Sequence, residues 1–372
     1  MLYVDTPTTQ DLIQLNAVSG APAVSIYVPT TPLTQHIGKA RIEFRHLISE
    51  AMTQLEQAGH DKRVRGVMEI ELLHLAEDDS FWRVQANTLA VFATPKGLTT
   101  FRLANKLGAN VEVSDRFHLL PLLRAVTFPH EALILAVSEN GVRLVQCFSD
   151  MPAKKVKVPG LPKDAASHAG KSTINDKSAF TRIHGEEGQR FRHTTYLRAI
   201  DSALRPILAG RDIPLIIAAV DPLAHLYPGI NTYPRLAGRI IQVSPDNTTD
   251  KKLAELAIPV LDEVYNDDLA AAAEVFRSRS SDGRTATDLT DVARAASRGA
   301  VDTLFADIDD TRPGQIDDDG RVTFASAETA RNYGLVDEVA RRVIGNGGRV
   351  MAVRQADVPG GRSVAAILRY PV

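Results

Sequence analysis

Residues 215–220 read Leu-Ile-Ile-Ala-Ala-Val without a polar break, and Asp221-Pro222 closes the run. The length is that of a strand. A strand apolar at every position is one buried on both faces, so the sheet that holds it needs helices over it. That requirement places the chain in the α/β class. Upstream, Ala132 to Val137 and Val142 to Phe148 flank Glu139-Asn140-Gly141 and predict a hairpin. Downstream, Ile240 to Val243 predicts one more short strand, and Lys252 to Val264 a helix despite Pro259.

The chain on either side alternates in the same manner. Asp11 to Leu15 predicts a short helix, and Ala23 to Val28 a strand that ends at Pro29 and Pro32. Phe44, Leu47, Ile48, Ala51 and Leu55 keep one helical face apolar up to a stop at Gly59. Thr88 to Ala93 and Leu98 to Leu103 predict a hairpin around Pro95, Lys96 and Gly97, with a further strand at Val111 and Val113. Phe81 and Trp82 read as a buried core pair, with a stacking pair as the alternative. Beyond the centre, Asn266 to Arg284 predicts an alanine-rich helix that turns polar in a linker or surface turn over 278–287. Helices at Thr290 to Ser297 and Leu335 to Ile344 then alternate with strands at Val301 to Ala306, Arg349 to Val353 and Val364 to Tyr370, which predicts a parallel or mixed sheet.

A chain of 372 residues has room for two or three domains, each with its own core. Cys147 is the only cysteine, which excludes an intramolecular disulfide framework and a thiolate zinc cluster. No apolar run approaches the roughly 18 to 20 residues of a membrane span, and the first residues lack an export signal, so the expected location is cytoplasmic. The sequence has no P-loop, dinucleotide fingerprint, paired-histidine metal motif or nucleophile elbow, and Gly345, Gly347 and Gly348 read as a turn. Asp317, Asp318, Asp319 and Gly320 lack the distal glutamate of a calcium loop and read as a solvated turn. Asp221 reads as a turn former rather than a metal ligand. No cofactor or metal is expected.

Charge is concentrated in the middle of the chain. Between 154 and 198 stand six lysines and four arginines against Asp164, Asp176, Glu186 and Glu187, a local +6 on a chain whose total is −2. Pro152, Pro159, Gly160, Pro162 and Gly170 mark irregular chain, and the loop that begins near Pro159 exceeds the roughly 15 residues usual in a compact domain. Gly185 and Gly188 give the segment from His184 to Gln189 backbone angles closed to other residues, a tight or mobile tip. Behind it, Leu197, Ile200, Leu204 and Ile207 predict a helix over Arg190 to Leu204. A cationic arm of this kind suits a phosphate backbone; the alternative is a solvated surface loop that happens to be basic. Between Val301 and Glu338 ten acids face three arginines, a local −7, which predicts an acidic face.

Three stretches resemble the archaeo-eukaryotic peptide-chain release factor and Pelota superfamily. Residues 182–198, RIHGEEGQRFRHTTYLR, resemble its loop ending in Gly-Gly-Gln before a long helix. Residues 288–309, DLTDVARAASRGAVDTLFADID, resemble the helix and strand entering its C-terminal domain, and residues 360–372, GGRSVAAILRYPV, resemble its closing strand. The segments SIYVPT at 25–30 and RFHLLPLLR at 116–124 resemble the bacterial branch, which includes hibernation factors. The resemblance implies three α/β domains. These are an N-terminal domain over 1–127, a release factor/Pelota-like middle domain with a basic Gly-Gln loop over 128–265, and a C-terminal domain of the kink-turn-binding ribosomal-protein fold over 266–372.

The resemblance also implies a ribosome-associated translation factor that binds the A site, contacts ribosomal and transfer RNA, and acts in hibernation or rescue. A translational GTPase is the implied protein partner, with the acidic face as its docking surface; no membrane is involved. The residues carried over as RNA contacts are Arg182, His184, Gly185, Gly188, Arg190 and Arg192, and Gln189 is the candidate catalytic residue. The chain departs from the family loop by carrying Glu187 where that loop has glycine, with Glu186 before it. A like charge at close contact with phosphate costs on the order of 1 kcal/mol, so the expectation is a factor without release activity. No match to the Asn-Ile-Lys-Ser or Tyr-x-Cys codon-reading motifs occurs, so stop-codon reading is not expected either. The alternative is a peptidyl-tRNA hydrolase that works with Gly188-Gln189.

Overall fold

Strand Ala23–Pro29 separates two cores, because its alternate residues point to opposite faces. Val24, Ile26 and Val28 pack with Phe44, Leu47, Leu55, Met68 and Leu72, from helices Ile37–Gln57 and Lys62–Glu77. Ala23 and Tyr27 on the other face join a second core that draws in Val292, Val336 and Val339, from helices Leu289–Ser297 and Leu335–Gly345. Covered on both sides, the strand is buried at six of its seven positions.

The computed structural model describes residues 4, 5, 7–32, 37–127, 131–148, 151–168, 186–326 and 332–371. The chain forms two compact units, Met1–Pro129 with Asp268–Val372, and His130–Asp267. The segments expected as separate first and third domains lie together in the first unit and share a core there.

In that first unit, an antiparallel sheet runs in the order Gly97–Leu103, Thr88–Thr94, Ala23–Pro29, Asn110–Ser114. A mixed sheet runs in the order Arg349–Val353, Val301–Asp307, Val364–Leu368, Thr285–Ala286. In it, Val301–Asp307 is parallel to Arg349–Val353 and antiparallel to Val364–Leu368. Trp82 is buried against Phe44, with ring centroids 5.6 Å apart, and Phe81 meets it edge-on at 6.0 Å, so the pair belongs to the core. Asp337 and Glu338 are buried too. Asp337 Oδ1 accepts the Leu119 and Leu120 amides at 2.9 and 2.6 Å and so caps helix Leu120–Thr127 from a distance in sequence.

The structure departs from several expectations. Thr285–Ala286 pairs with the closing strand, so part of the expected linker is sheet. The two helices expected on either side of residue 265 are one helix, Asp250–Ser280, with Pro259 inside it. The acidic face is smaller than the charge count suggests: Asp307, Asp337 and Glu338 are buried, while Asp302 and Asp310 pair with Arg279 and Arg312. Helices Lys62–Glu77 and Leu120–Thr127, and the small sheet of Pro313–Ile316, Val322–Phe324 and Tyr333–Gly334, are elements that sequence periodicity did not predict.

The second unit holds a sheet in the order Met151–Val156, Val142–Phe148, Glu131–Val137, Leu215–Ala218. Leu215–Ala218 is buried throughout and runs parallel to Glu131–Val137. Ile240 to Val243 is not a strand: the region contributes only isolated bridges, Leu215 to Leu236 and Ala218 to Ile241. Met151–Val156 is an edge strand where irregular chain was expected, because Pro152 is tolerated at an edge. Glu131 is buried, with Oε1 accepting the Gln146 amide at 2.5 Å. Burial pushes its carboxyl above the ordinary value, partly offset by that hydrogen bond. A raised folded pKa means stability present at low pH and lost as pH rises through it. Glu131→Gln is therefore expected to stabilise the protein at pH 7, with the gain shrinking at pH 4, in urea melts of both proteins.

Candidate nucleic-acid interface

Helix Glu186–Leu208 carries the site. His193, Tyr196, Leu197, Ile200, Leu204 and Leu208 are buried along it, the i, i+3, i+4 spacing of a single face. That face packs on Leu133, Leu135, Val137 and Leu144 of the sheet and on Leu215 and Ile217. Polar contacts fix its register against the hairpin turn. His193 Nε2 lies 2.8 Å from Glu139 Oε1, and the Tyr196 hydroxyl donates to the Ser138 carbonyl at 3.2 Å. Burial raises the Tyr196 hydroxyl above its ordinary range, so it stays a neutral donor. The turn is itself braced: Asp246 accepts from the Ser138 hydroxyl at 2.6 Å and the Asn140 amide at 2.9 Å. Those two hydrogen bonds hold the Asp246 carboxyl below its ordinary value.

The helix starts earlier than the periodicity predicts. Its first turn includes Gly188 and Gln189, so these residues are helical and not at a loop tip. Gly188 is buried, whereas Gln189, Arg190, Phe191 and Arg192 are exposed. Arg182, His184 and Gly185 lie outside the described residues, as does the expected mobile loop beyond residue 168.

The exposed cations of this unit include Lys154, Lys155 and Lys157, on or just after the edge strand, with Arg190, Arg192 and Arg198 on the helix. Among the described residues none of these six forms an ion pair, whereas Arg143 pairs with Asp250 and Arg205 with Asp201. Cations held in water without an acid beside them keep their charge available to an anionic partner. Asp221 is exposed just beyond Leu215–Ala218 and contacts His225 Nδ1, and no group of acids, histidines or cysteines fit to hold a metal occurs among the described residues. No described helix is long and apolar enough to cross a membrane. Sequence reasoning missed the Glu139–His193 contact, which joins residues 54 positions apart and so leaves no local signal.

Residues 129–267 match the family model of bacterial archaeo-eukaryotic release factor family 11. No curated protein matches the sequence. Among solved structures, an archaeal translation termination factor, aRF1, is 16% identical over 98% of this chain and 99% of its own, with a TM-score of 0.25. Archaeal Pelota, from a model of the ribosome-bound protein with ABCE1, is 14% identical over 99% and 96%, with a TM-score of 0.40. Dom34 of S. cerevisiae, described as interacting with Hbs1, is 13% identical over 74% of each chain, with a TM-score of 0.43.

Proposed function

We propose that the protein is a ribosome-associated translation factor that occupies the A site and acts in hibernation or rescue without reading stop codons. The observation that carries this reading is the exposed cations Arg190 and Arg192 near the start of the Glu186–Leu208 helix, outside any ion pair among the described residues and within the segment that matches the release factor family model. Arg190 and Arg192 contact RNA phosphates, with Arg182, His184, Gly185 and Gly188 beside them. A translational GTPase docks on the exposed acids Asp309, Asp317, Asp318 and Asp319.

Replacing Arg182, Arg190 and Arg192 with glutamate is expected to weaken co-sedimentation with ribosomes by about tenfold or more and to flatten its salt dependence. Unchanged sedimentation counts against the proposal. A second reading, hydrolysis of peptidyl-tRNA, is favoured by the exposed Gln189 directly after Gly188. Labelled peptide released from stalled ribosomes, and lost in Gln189→Ala, supports hydrolysis; no release at saturating protein rejects it.

A further inference from the structure

We propose that the outer face of helix Lys62–Glu77 is the surface on which a second copy of this chain docks, the two helices running antiparallel about Ile70. The helix is apolar on two sides. Met68, Leu72 and Ala76 are buried in the core that it shares with helix Ile37–Gln57 and the antiparallel sheet. Val67, Ile70 and Leu73 are 42%, 55% and 38% exposed, and their spacing sets them on one stripe, opposite the buried one. Apolar residues on both faces hide the helical period, so periodicity did not predict this helix. A single exposed apolar residue is ordinary, whereas three in line form a patch that burial against another surface would stabilise.

Charge selects the occupant. Arg63 stands seven residues before Ile70 and Glu77 seven after it, each about 10 Å along the axis and within the same stripe. An interface between two copies of one chain is two-fold, so the patch must complement itself. Antiparallel helices centred on Ile70 set Arg63 against Glu77 of the second copy, twice, and Leu73 beside its Gly66. Parallel helices would set Arg63 against a second Arg63. Arg63 is exposed and outside any ion pair among the described residues. Glu77 lies 2.6 Å from Arg45 within its own chain, yet its side chain is 63% exposed, which leaves room for another guanidinium. Among the described residues, nothing outside the helix backbone lies within 4 Å of where a Gly66 Cβ would stand, so a leucine has space there. The charge pairs fix direction and register, and the apolar side chains supply the burial. One helix per copy is a small interface, so the dimer forms at high protein concentration and exchanges with monomer.

The test is the mass of the full chain by sedimentation equilibrium over a concentration series. The wild type is expected to dimerise as concentration rises, and Ile70→Glu to weaken that at least about tenfold, because the two-fold brings the introduced charges together. Arg63→Glu and Glu77→Arg are each expected to weaken it about three- to tenfold, and an equimolar mixture of the two to recover it. The three positions are exposed, and circular dichroism checks that the variants fold. A wild type that stays monomeric throughout overturns the proposal and leaves the stripe to another occupant. Dimers untouched by Ile70→Glu use a different surface and overturn it as well. Charge variants without effect, or a mixture without recovery, overturn the antiparallel pairing.

Discussion

Glu338→Ala is expected to destabilise the unit formed by the N- and C-terminal segments by about 3 to 5 kcal/mol, the loss typical of a buried ion cluster stripped of one sign. The Glu338 side chain has no exposure, and three arginines converge on it. Arg116 Nη1 reaches Oε2 at 2.5 Å, Arg341 Nε reaches Oε2 at 2.9 Å, and Arg342 Nε reaches Oε1 at 2.7 Å. Removing the carboxylate leaves three mostly buried guanidinium groups facing one another. Arg116 comes from the N-terminal segment, so the loss also loosens the packing between the two segments of this unit.

The cluster has a pH signature. Burial works against the Glu338 charge, and Arg116 and Arg341 outweigh it, which holds the carboxyl below its ordinary value. A depressed folded pKa gives stability present above the unfolded pKa and lost as pH falls through the folded one. Glu338→Gln should therefore lose most at neutral pH and approach wild type in acid. Urea melts at several pH values check this, and a variant within about 1 kcal/mol of wild type at pH 7 would show that the carboxylate is dispensable.

Gly320→Ala is expected to cost about 2 to 4 kcal/mol. The sequence reads there as a solvated turn, and the turn is present: the Gly320 amide donates to the Asp317 carbonyl at 3.0 Å with φ at 83°. The tip is not open, however. A Cβ at this position would lie 2.6 Å from Arg294 Cα and 3.0 Å from the Ala293 carbonyl oxygen, both backbone atoms of a neighbouring helix. Left-handed strain and steric overlap therefore add. Asp319→Ala, at an exposed neighbour, is the control and should stay within about 0.5 kcal/mol. Equal melting of Gly320→Ala and wild type would show that the helix yields.

The sequence by itself determined the elements whose signal is local. The apolar run at 215–220 contains a buried strand, the hairpin around Glu139-Asn140 lies where alternation puts it, and the apolar face behind Arg190 belongs to a helix. It also marked the basic stretch, since charge is read directly from composition. Tertiary structure decided what depends on partners distant in the chain. Helix Leu120–Thr127 is capped by Asp337, more than two hundred residues away, so no local cap announced it. Three acids counted toward a surface face are buried; for Glu338, Arg116 from the N-terminal segment joins its helix neighbours Arg341 and Arg342 in supplying the neutralising charge. Gly188 and Gln189 extend a helix whose register is fixed at His193 by the turn at Glu139. Periodicity reports which face of an element is apolar; only packing reports what that face meets.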